Sequence, residues 1–324
     1  MRNKLTIKDR IKGGIYGVAV GDALGATVEF MSRDEIRRKY GVLRDIVGGG
    51  WLNLRPGEWT DDTEMTLAVA EGIIAEPDDP VPHIGQAFIR WRNTNPPDIG
   101  TTIRATFRIW DRDNLTHEQW HVAAERTHRQ MGGMSAGNGA LMRTLPVGIV
   151  YRLIPDIYRW ATMIAKMTHW DTRAGLTCAI YSMAVRDILN GEKDRFLAIV
   201  NAIRTVREII PDTIEGDLRE IEQYAIKKDG SNLKPTGYTV DSFACAAWAF
   251  IESGSFEETV VNAVNLGGDA DTIGAIAGGL AGVYWGYEAI PNRWIEKFTP
   301  EQRARLDRVA ESLSIQRARQ VIYR

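Results

Sequence analysis

Two short acidic segments, far apart in the chain, contain the residues best suited to chemistry. The first, TDDT at residues 60–63, comes directly before a helical run, and the second, GGDADT at residues 267–272, opens a run of small residues. Asp and Thr are common helix N-caps, so either segment alone is typical of an ordinary helix start. The pair supports a second interpretation, in which the two helix starts meet and their oxygens converge on one point.

Residues 60–62 of the first segment and 269–272 of the second would together supply four carboxylates and two hydroxyls. Such hard oxygen donors suit Mg²⁺, Mn²⁺ or Ca²⁺, whereas Zn²⁺ sites usually contain His or Cys. Four carboxylates in a partly buried pocket would raise one another's pKa values, and a pair of divalent cations would remove that repulsion. We therefore expect two cations with a carboxylate between them, for which Asp271 is the candidate. A structural calcium site is the alternative, although the spacing is not that of an EF-hand.

Four other features could contact a ligand, and each also has an ordinary structural explanation. Glu29 lies between two apolar residues, where an ion pair or a surface position would explain it equally. Asp98 follows two prolines on a rigid loop, where an Asx-turn or an N-cap is common. His169 lies at a break between two apolar helices, where a hydrogen-bonded interfacial His is common. The glycine-rich segment 132–139 could hold phosphate through its N–H groups, or simply connect two helices.

Helical patterns run through most of the chain. Residues 9–24 have apolar side chains at helical spacing but contain several glycines, which weaken an isolated helix. We therefore place this helix at the centre of a bundle, where glycine permits close backbone contact. Further helices are expected over residues 34–40, 63–74, 84–91, 103–110, 118–130, 156–167, 172–189, 196–208, 214–226, 240–252, 256–265, 273–285 and 301–313, with Pro80 and Pro82 breaking the chain before the third of these. No alternating strand pattern extends beyond a few residues, so we predict an all-α fold that forms one domain over residues 1–324.

The composition is that of a globular protein, with 44% hydrophobic residues, 25% charged residues and a formal net charge of −2. This charge gives no reason to expect a nucleic-acid or anionic-membrane partner. No apolar run reaches membrane-spanning length, and the basic N-terminus lacks the apolar segment of a signal peptide, so we expect a cytoplasmic protein. Cys178 and Cys245 lie in apolar segments and are expected to be buried thiols rather than a disulfide or a zinc pair.

Seven motifs, in order along the chain, resemble those of the ADP-ribosylglycohydrolase family, and most closely its dinitrogenase reductase-activating, ADP-ribosylarginine hydrolase-like branch. They are GDALGATVEF (21–30), WTDDTEMTLA (59–68), PPDIGTT (96–102), SAGNGALMR (135–143), TH (168–169), TGY (236–238) and LGGDADTIGAIAGGLAG (266–282). The combination of TDDT with GGDADT is the specific part of this signature. The resemblance implies a compact, orthogonal multi-helix bundle.

The resemblance also implies a centre of two Mg²⁺ or Mn²⁺ ions. Glu29 matches an acid that contacts this centre or the substrate ribose, and Asp98 matches an acidic loop residue associated with arginine-linked ADP-ribose. The implied metal-binding positions in this sequence are Thr60, Asp61, Asp62, Asp269, Asp271 and Thr272.

An ADP-ribose site is implied by the same resemblance. His169 matches a residue that helps to hold the diphosphate, and Tyr238 matches a position whose ring can stack on adenine. The loop that wraps the diphosphate corresponds to Ser135, Ala136, Gly137, Asn138 and Gly139.

The implied activity is hydrolysis of the glycosidic bond between ADP-ribose and a modified protein side chain, with N-linked arginine preferred and ADP-ribose released. Bound cations would orient the ribose hydroxyls and activate water, and nearby carboxylates would stabilise an oxocarbenium-like transition state. Asp98, Glu29 and Asp62 are the candidates for acid–base catalysis, and the division of roles between them is open.

Two alternative functions would use the same site residues. The centre could act on O-linked ADP-ribose, such as a serine linkage or O-acetyl-ADP-ribose, or on a small ADP-ribosyl metabolite. A non-catalytic ADP-ribose binder is the other alternative. The expected partner is thus an ADP-ribosylated protein or an ADP-ribosyl small molecule, bound by a monomer that has no nucleic-acid or membrane partner.

Overall fold

The computed structural model describes residues 5–226 and 230–322, and this part of the chain contains sixteen α-helices and no β-strand. Isolated bridges pair Ser32 with Gly267 and Gly137 with Tyr238. The all-α prediction is confirmed. The helices are α1 (Ile7–Gly25), α2 (Arg33–Tyr40), α3 (Asp61–Ala75), α4 (Pro80–Arg92), α5 (Thr101–Arg112), α6 (Trp120–Gln130), α7 (Leu145–Val150), α8 (Ile154–Ala165), α9 (Thr172–Leu189), α10 (Arg195–Ile209), α11 (Glu215–Ala225), α12 (Thr239–Glu252), α13 (Phe256–Val264), α14 (Ala270–Trp285), α15 (Asn292–Ile295) and α16 (Pro300–Ile322).

Helices α1 and α14 lie antiparallel at the centre of the bundle, in direct backbone contact. Each carries glycines at every fourth position, which places them on one face of the helix. Gly17 opposes Gly278 and Gly21 opposes Gly274, and a Cβ atom on any of the four would overlap the carbonyl group of its partner. The prediction that the glycine-rich first helix makes close backbone contact is therefore confirmed.

This contact also determines which polar residues meet at one end of the helix pair. Gly25, the last residue of α1, lies against the backbone of Ala270 and Asp271 in the first turn of α14. Asp22 is buried one turn earlier on α1. The C-terminal end of α1 therefore brings a buried acid next to the N-terminal end of α14.

Six further helices in the described part of the chain pack around the central pair: α3, α7, α9, α12, α13 and α16. Helix α3 contacts both α1 and α14, so its N-terminal turn lies near the same end of the pair. Cys178 and Cys245 are both buried free thiols, as expected. Among the helices described, none combines the length and the apolar character needed to cross a lipid bilayer.

Two helix boundaries differ most from those expected. Helix α4 begins at Pro80 rather than after Pro82. Proline has no N–H group and its φ angle suits a first helical turn, so these prolines start the helix instead of preventing it. Helix α16 continues to Ile322, and Arg317 fixes the extension by donating to the carbonyl oxygen of Ile149 at 2.7 Å.

The central glycine contact predicts the effect of a single methyl group. In an open helix, Gly→Ala stabilises by about 0.5–1 kcal/mol. In Gly17→Ala the methyl group must instead displace α14, and overpacking of this kind costs about 1–3 kcal/mol. We expect a lower free energy of unfolding, measured by denaturant titration. The control is Gly216→Ala in α11, where no atom lies within 4 Å of the added Cβ. Equal stability of the two variants would argue against the contact.

Candidate metal centre and ligand cleft

The N-terminal ends of α3 and α14 meet beside the C-terminal end of α1. Thr60 occupies the N-cap position of α3, and Asp269 occupies that of α14. Across the junction the Thr272 hydroxyl donates to Asp62 Oδ2 at 3.4 Å, although the two residues lie 210 positions apart in the chain. The structure thus brings together the two acidic segments at residues 60–63 and 267–272.

Five carboxylates form two groups of three at this junction. Asp22, Asp62 and Asp271 each place one oxygen within 4.8 Å of the others, and so do Glu29, Asp269 and Asp271. We call these five residues the acidic centre. Asp271 belongs to both groups, so the two positions that a cation could occupy share one carboxylate.

The other predicted metal positions lie beside the acidic centre. Thr60 Oγ1 lies 3.0 Å from Asp22 Oδ1 and 3.1 Å from Asp62 Oδ2, so this hydroxyl adjoins the first group. Asp61 belongs to neither group, and its Oδ2 accepts a hydrogen bond from the N–H of Gly100 at 3.3 Å. The two adjacent aspartates therefore separate, with Asp62 in the centre and Asp61 against the loop before α5.

Asp22 was not singled out among the sequence-based candidates. It accepts hydrogen bonds from the backbone N–H groups of Thr60 and Thr63 at 3.0 Å, and from the Thr63 hydroxyl at 2.6 Å. These contacts attach the start of α3 to α1. The sequence does contain one sign of its importance, because Asp22 is the one charged residue between Lys12 and Glu29, within a run of small and apolar residues.

Burial disfavours the charged form of the carboxylates in the acidic centre and of the neighbouring Asp61. It raises the pKa of Asp22 to about 6 and that of Asp61 to about 8, with the charge of Asp98 adding to the effect on Asp61. Burial, followed by the charges of neighbouring acids, holds the pKa values of Asp62 and Asp271 well above the usual range for aspartate. The centre therefore favours protons or cations.

One buried oxygen of the acidic centre has no hydrogen-bond partner in the described part of the chain. Asp62 Oδ1 is buried and accepts no hydrogen bond from the described residues. Buried polar atoms are normally satisfied, and an unpaired carboxylate oxygen among other acids is stabilised by a cation. The hard oxygen donors, their mutual repulsion and this unpaired atom fit a divalent cation of the Mg²⁺ or Mn²⁺ type.

Glu29 is held by an aromatic residue that the sequence-based candidates did not include. The Trp51 indole N–H donates to Glu29 Oε2 at 2.6 Å. Burial raises the pKa of Glu29 to about 7, and this hydrogen bond opposes the rise. Phe30, with a positive φ of 63°, places its ring 5.6 Å from that of Trp51. Both rings are exposed at the mouth of the cleft described next.

A cleft of 660 Å³ extends from the acidic centre to the glycine-rich loop, and we call it the ligand cleft. Gly137, Asn138, Gly139 and His169 line it together with acids of the centre. The Asn138 side-chain amide donates to Asp269 Oδ2 at 2.7 Å, which ties the loop to the centre. The cleft thus places carboxylates and backbone N–H groups around one space.

Two residues of the glycine-rich loop, Ser135 and Ala136, support it from the side away from the ligand cleft. Ser135 is fully buried, and its hydroxyl lies 2.7 Å from His128 Nδ1 and accepts the Asp171 N–H at 3.3 Å. The Ala136 carbonyl accepts from the N–H of Thr239 at 2.9 Å. Neither Ser135 nor Ala136 lines the ligand cleft.

Tyr238 lies next to the loop, but its ring is engaged elsewhere. Its hydroxyl donates to Glu220 Oε1 at 2.8 Å and accepts from Arg173 Nη1 at 3.2 Å. The ligand cleft is lined by Gly237 and not by Tyr238. Stacking of the Tyr238 ring on adenine stays a prediction.

A second cavity of 390 Å³ meets the ligand cleft at Asp61 and Asp98, which line both spaces. Its other lining residues include Trp59 and Trp91, together with Glu64 and Arg305, which form an ion pair at 2.8 Å. We call it the aromatic cavity. Asp98 therefore lies at the boundary between a cleft rich in backbone donors and a cavity rich in aromatic surface.

Comparison with known proteins matches this arrangement to a single family. The family model for ADP-ribosylglycohydrolases matches residues 3–321. The ADP-ribosyl-[dinitrogen reductase] glycohydrolase of Rhodospirillum rubrum is 32% identical over 309 residues, covering 95% of this chain and 96% of its own. The ADP-ribosylarginine hydrolase Tri1 of Pseudomonas putida is 31% identical over 313 residues, covering 94% of this chain and 78% of its own.

A solved structure agrees with these matches. The structure titled "ADP-ribosylglycohydrolase-related protein complex" superimposes with a TM-score of 0.78 at 30% identity, covering 97% of this chain and 100% of that one. The chain belongs to the ADP-ribosylglycohydrolase family, whose members hydrolyse ADP-ribosyl linkages.

Proposed function

We propose that this protein is a metal-dependent hydrolase that removes ADP-ribose from arginine side chains of proteins. The observation that carries the proposal is the position of Asp271, shared by both groups of the acidic centre at the edge of the ligand cleft. A carboxylate shared by two cation positions is suited to two-metal hydrolysis. The names of the relatives from Rhodospirillum rubrum and Pseudomonas putida support the class of bond.

The two groups of the acidic centre would each hold one divalent cation, Mg²⁺ or Mn²⁺, and Asp271 would contact both. When bound, the cations would neutralise the carboxylates and supply a water molecule of lowered pKa as the nucleophile. The residues proposed to hold them are Asp22, Asp62 and Asp271 for one, and Glu29, Asp269 and Asp271 for the other, with the hydroxyls of Thr60 and Thr272 adjoining.

The glycine-rich loop would bind the diphosphate of ADP-ribose. Gly137 lines the ligand cleft, and its N–H donates to no atom of the described chain. Backbone N–H groups of this kind suit phosphate oxygens. On the other side of the ribose, carboxylates of the centre would stabilise the positive charge that develops at the anomeric carbon.

The aromatic cavity supports arginine as the modified residue. Aromatic faces and carboxylates are the groups that bind a planar guanidinium, and Trp59, Trp91 and Asp98 supply both. Glu64 already pairs with Arg305 at 2.8 Å, so Asp98 is the carboxylate proposed for the substrate. With ADP-ribose in the ligand cleft and the arginine side chain in the aromatic cavity, the scissile bond would lie at Asp98. A substrate linked through serine would place no guanidinium in the aromatic cavity.

Asp98 would act on the leaving group at this boundary. It forms one ion pair with Arg104, at 3.5 Å, and its side chain keeps 27% of its exposure. A partly exposed pair of this kind is weak, so an incoming guanidinium can replace Arg104. Asp98 would then orient the leaving guanidine or take part in acid–base catalysis, which contributes about 10²–10⁴-fold to a rate.

The substrate assignment predicts a selective effect of Asp98→Asn. With Mn²⁺ or Mg²⁺ present, the wild-type protein should release ADP-ribose from an arginine-linked substrate, and the variant should be slower by about 10²-fold or more. Release from a serine-linked substrate should be affected far less. Asp111→Asn is the matched control, because Asp111 is an exposed residue of α5 that pairs with Arg92.

Three outcomes would contradict the assignment. Release from serine-linked but not arginine-linked substrate would favour O-linked ADP-ribose. Tight calorimetric binding of ADP-ribose without any release would favour a non-catalytic binder. If Asp111→Asn were as slow as Asp98→Asn, the loss of activity would not be specific to Asp98, and its proposed role at the leaving group would be wrong.

The acidic centre and the neighbouring Asp61 predict how the free energy of unfolding depends on pH without metal. The pKa values of Glu29 and Asp61 are raised to about 7 and about 8 in the folded protein, above their values of about 4 in an unfolded chain. The folded state thus holds these protons more tightly than the unfolded state. The contribution of these two groups to the free energy of unfolding is therefore fully present below pH 4 and is lost as pH rises through 7 and 8. With a chelator present, the Tm should fall from pH 5 to pH 8.5.

Bound cations should oppose this loss, because they replace the protons. At a hundredfold excess over Kd, each cation would add about 2.7 kcal/mol to the free energy of unfolding. Asp271→Asn should abolish most of the Mn²⁺-induced rise in Tm, whereas Asp111→Asn should preserve it. A metal-free Tm that rises with pH would contradict the buried acidic centre.

A further inference from the structure

Arg143 is a buried cation that pairs with no carboxylate of the described residues. It is fully buried, and its guanidinium lies 4.8 Å from the centroid of the Phe88 ring. Nη2 donates to the Ile164 carbonyl oxygen at 3.1 Å and to Thr168 Oγ1 at 2.7 Å, and Nε has no partner among the described residues. Burying a charge in this way costs free energy, so the contacts that Arg143 does make call for an explanation.

The hydrogen bond from Arg143 determines the direction of the next one. An arginine side chain can only donate, so Thr168 Oγ1 accepts from it. The Thr168 hydroxyl then has a proton to donate, and the acceptor recorded within reach in the described chain is His169 Nδ1, at 2.8 Å. If Nδ1 accepts this proton, the ring proton of a neutral His169 resides on Nε2.

Nε2 of His169 lies on the side of the ring that faces the glycine-rich loop. A Cβ atom built on Gly137 would lie 3.1 Å from Nε2, and one built on Gly139 would lie 3.0 Å from Cε1. No hydrogen bond from the described residues engages Nε2, and His169 lines the ligand cleft. The free ring nitrogen therefore borders the loop where a ligand would bind.

We propose that Arg143 and Thr168 are positioning residues that hold His169 in its Nε2–H tautomer, so that the ligand cleft presents a neutral donor to a phosphate oxygen. Only the identity of the ligand, the diphosphate of ADP-ribose, rests on the proposed function. The opposite tautomer would present the Nε2 lone pair to the phosphate oxygens, which repels them. We call these two hydrogen bonds, from Arg143 to Thr168 and from Thr168 to His169, the relay. The relay determines which ring nitrogen of His169 carries the proton.

The neutral state of His169 agrees with this geometry. Burial lowers the pKa of His169 to about 3, and the charge of Arg143 lowers it further in the same direction. The imidazole therefore stays uncharged at physiological pH. A neutral donor binds phosphate without forming an ion pair to the acids on the other side of the cleft.

The tautomer can be measured directly in the ligand-free protein by long-range ¹H–¹⁵N correlation of labelled histidines. His169→Gln assigns the signal of His169 among the five histidines. We expect a protonated Nε2 and an unprotonated Nδ1 in the wild type and in Thr168→Ser. Thr168→Val, which keeps the shape but lacks the hydroxyl, should shift the ring toward the Nδ1–H tautomer and weaken ADP-ribose binding about tenfold by calorimetry.

Thr259→Val is the matched control, because Thr259 is buried and donates to a backbone carbonyl in α13, outside both spaces. It should change neither the tautomer nor the affinity. An Nδ1–H tautomer in the wild type, or wild-type binding by Thr168→Val, would overturn the relay. Because tautomer and affinity are measured without turnover, a protein that binds ADP-ribose through this relay but cleaves no linkage would refute only the proposed function. Both Thr168 variants keep the Arg143 side chain, whose Nη2 also has the Ile164 carbonyl oxygen as an acceptor at 3.1 Å.

Discussion

Backbone contact between α1 and α14 is the constraint on which the site depends. Glycines at every fourth position let the two helices touch, with Gly17 against Gly278 and Gly21 against Gly274. Because the helices are so close, Asp22 from α1 and Asp271 from α14 enter the same group of carboxylates. The glycines weaken each helix in isolation, but in the bundle they allow the acidic centre to form.

The acidic centre and the glycine-rich loop have opposite electrostatic requirements within one cleft. The centre gathers carboxylates that favour cations, as the unpaired Asp62 Oδ1 indicates. The loop side offers N–H groups and a neutral His169 to an anion. Asn138 connects the two sides, since its side-chain amide donates to Asp269 while its backbone N–H donates to the Gly237 carbonyl. This separation suits the proposed binding of cations and a diphosphate near each other.

Most of the helices could be predicted from the sequence because they have local signals. The meeting of the two acidic segments could be predicted because the two segments together resemble a family signature. Helix α9 has the bounds expected from its apolar pattern, Thr172–Leu189. Asp22 has only a weak local signal, because an acid within a helix becomes noticeable only when the partner helix is known. The hydrogen bond from Trp51 to Glu29 and the engagement of the Tyr238 hydroxyl depend on tertiary packing. No spacing in the sequence determines where such side chains point.

The central claim is that Asp271 joins two cation positions at one end of the α1–α14 pair. Anomalous diffraction from crystals soaked in Mn²⁺ tests it most directly. The account predicts two peaks about 3.5–4 Å apart, both within coordination distance of Asp271, one toward Asp22 and Asp62 and the other toward Glu29 and Asp269. The absence of any peak at Asp271, at a Mn²⁺ concentration that supports hydrolysis, would contradict it.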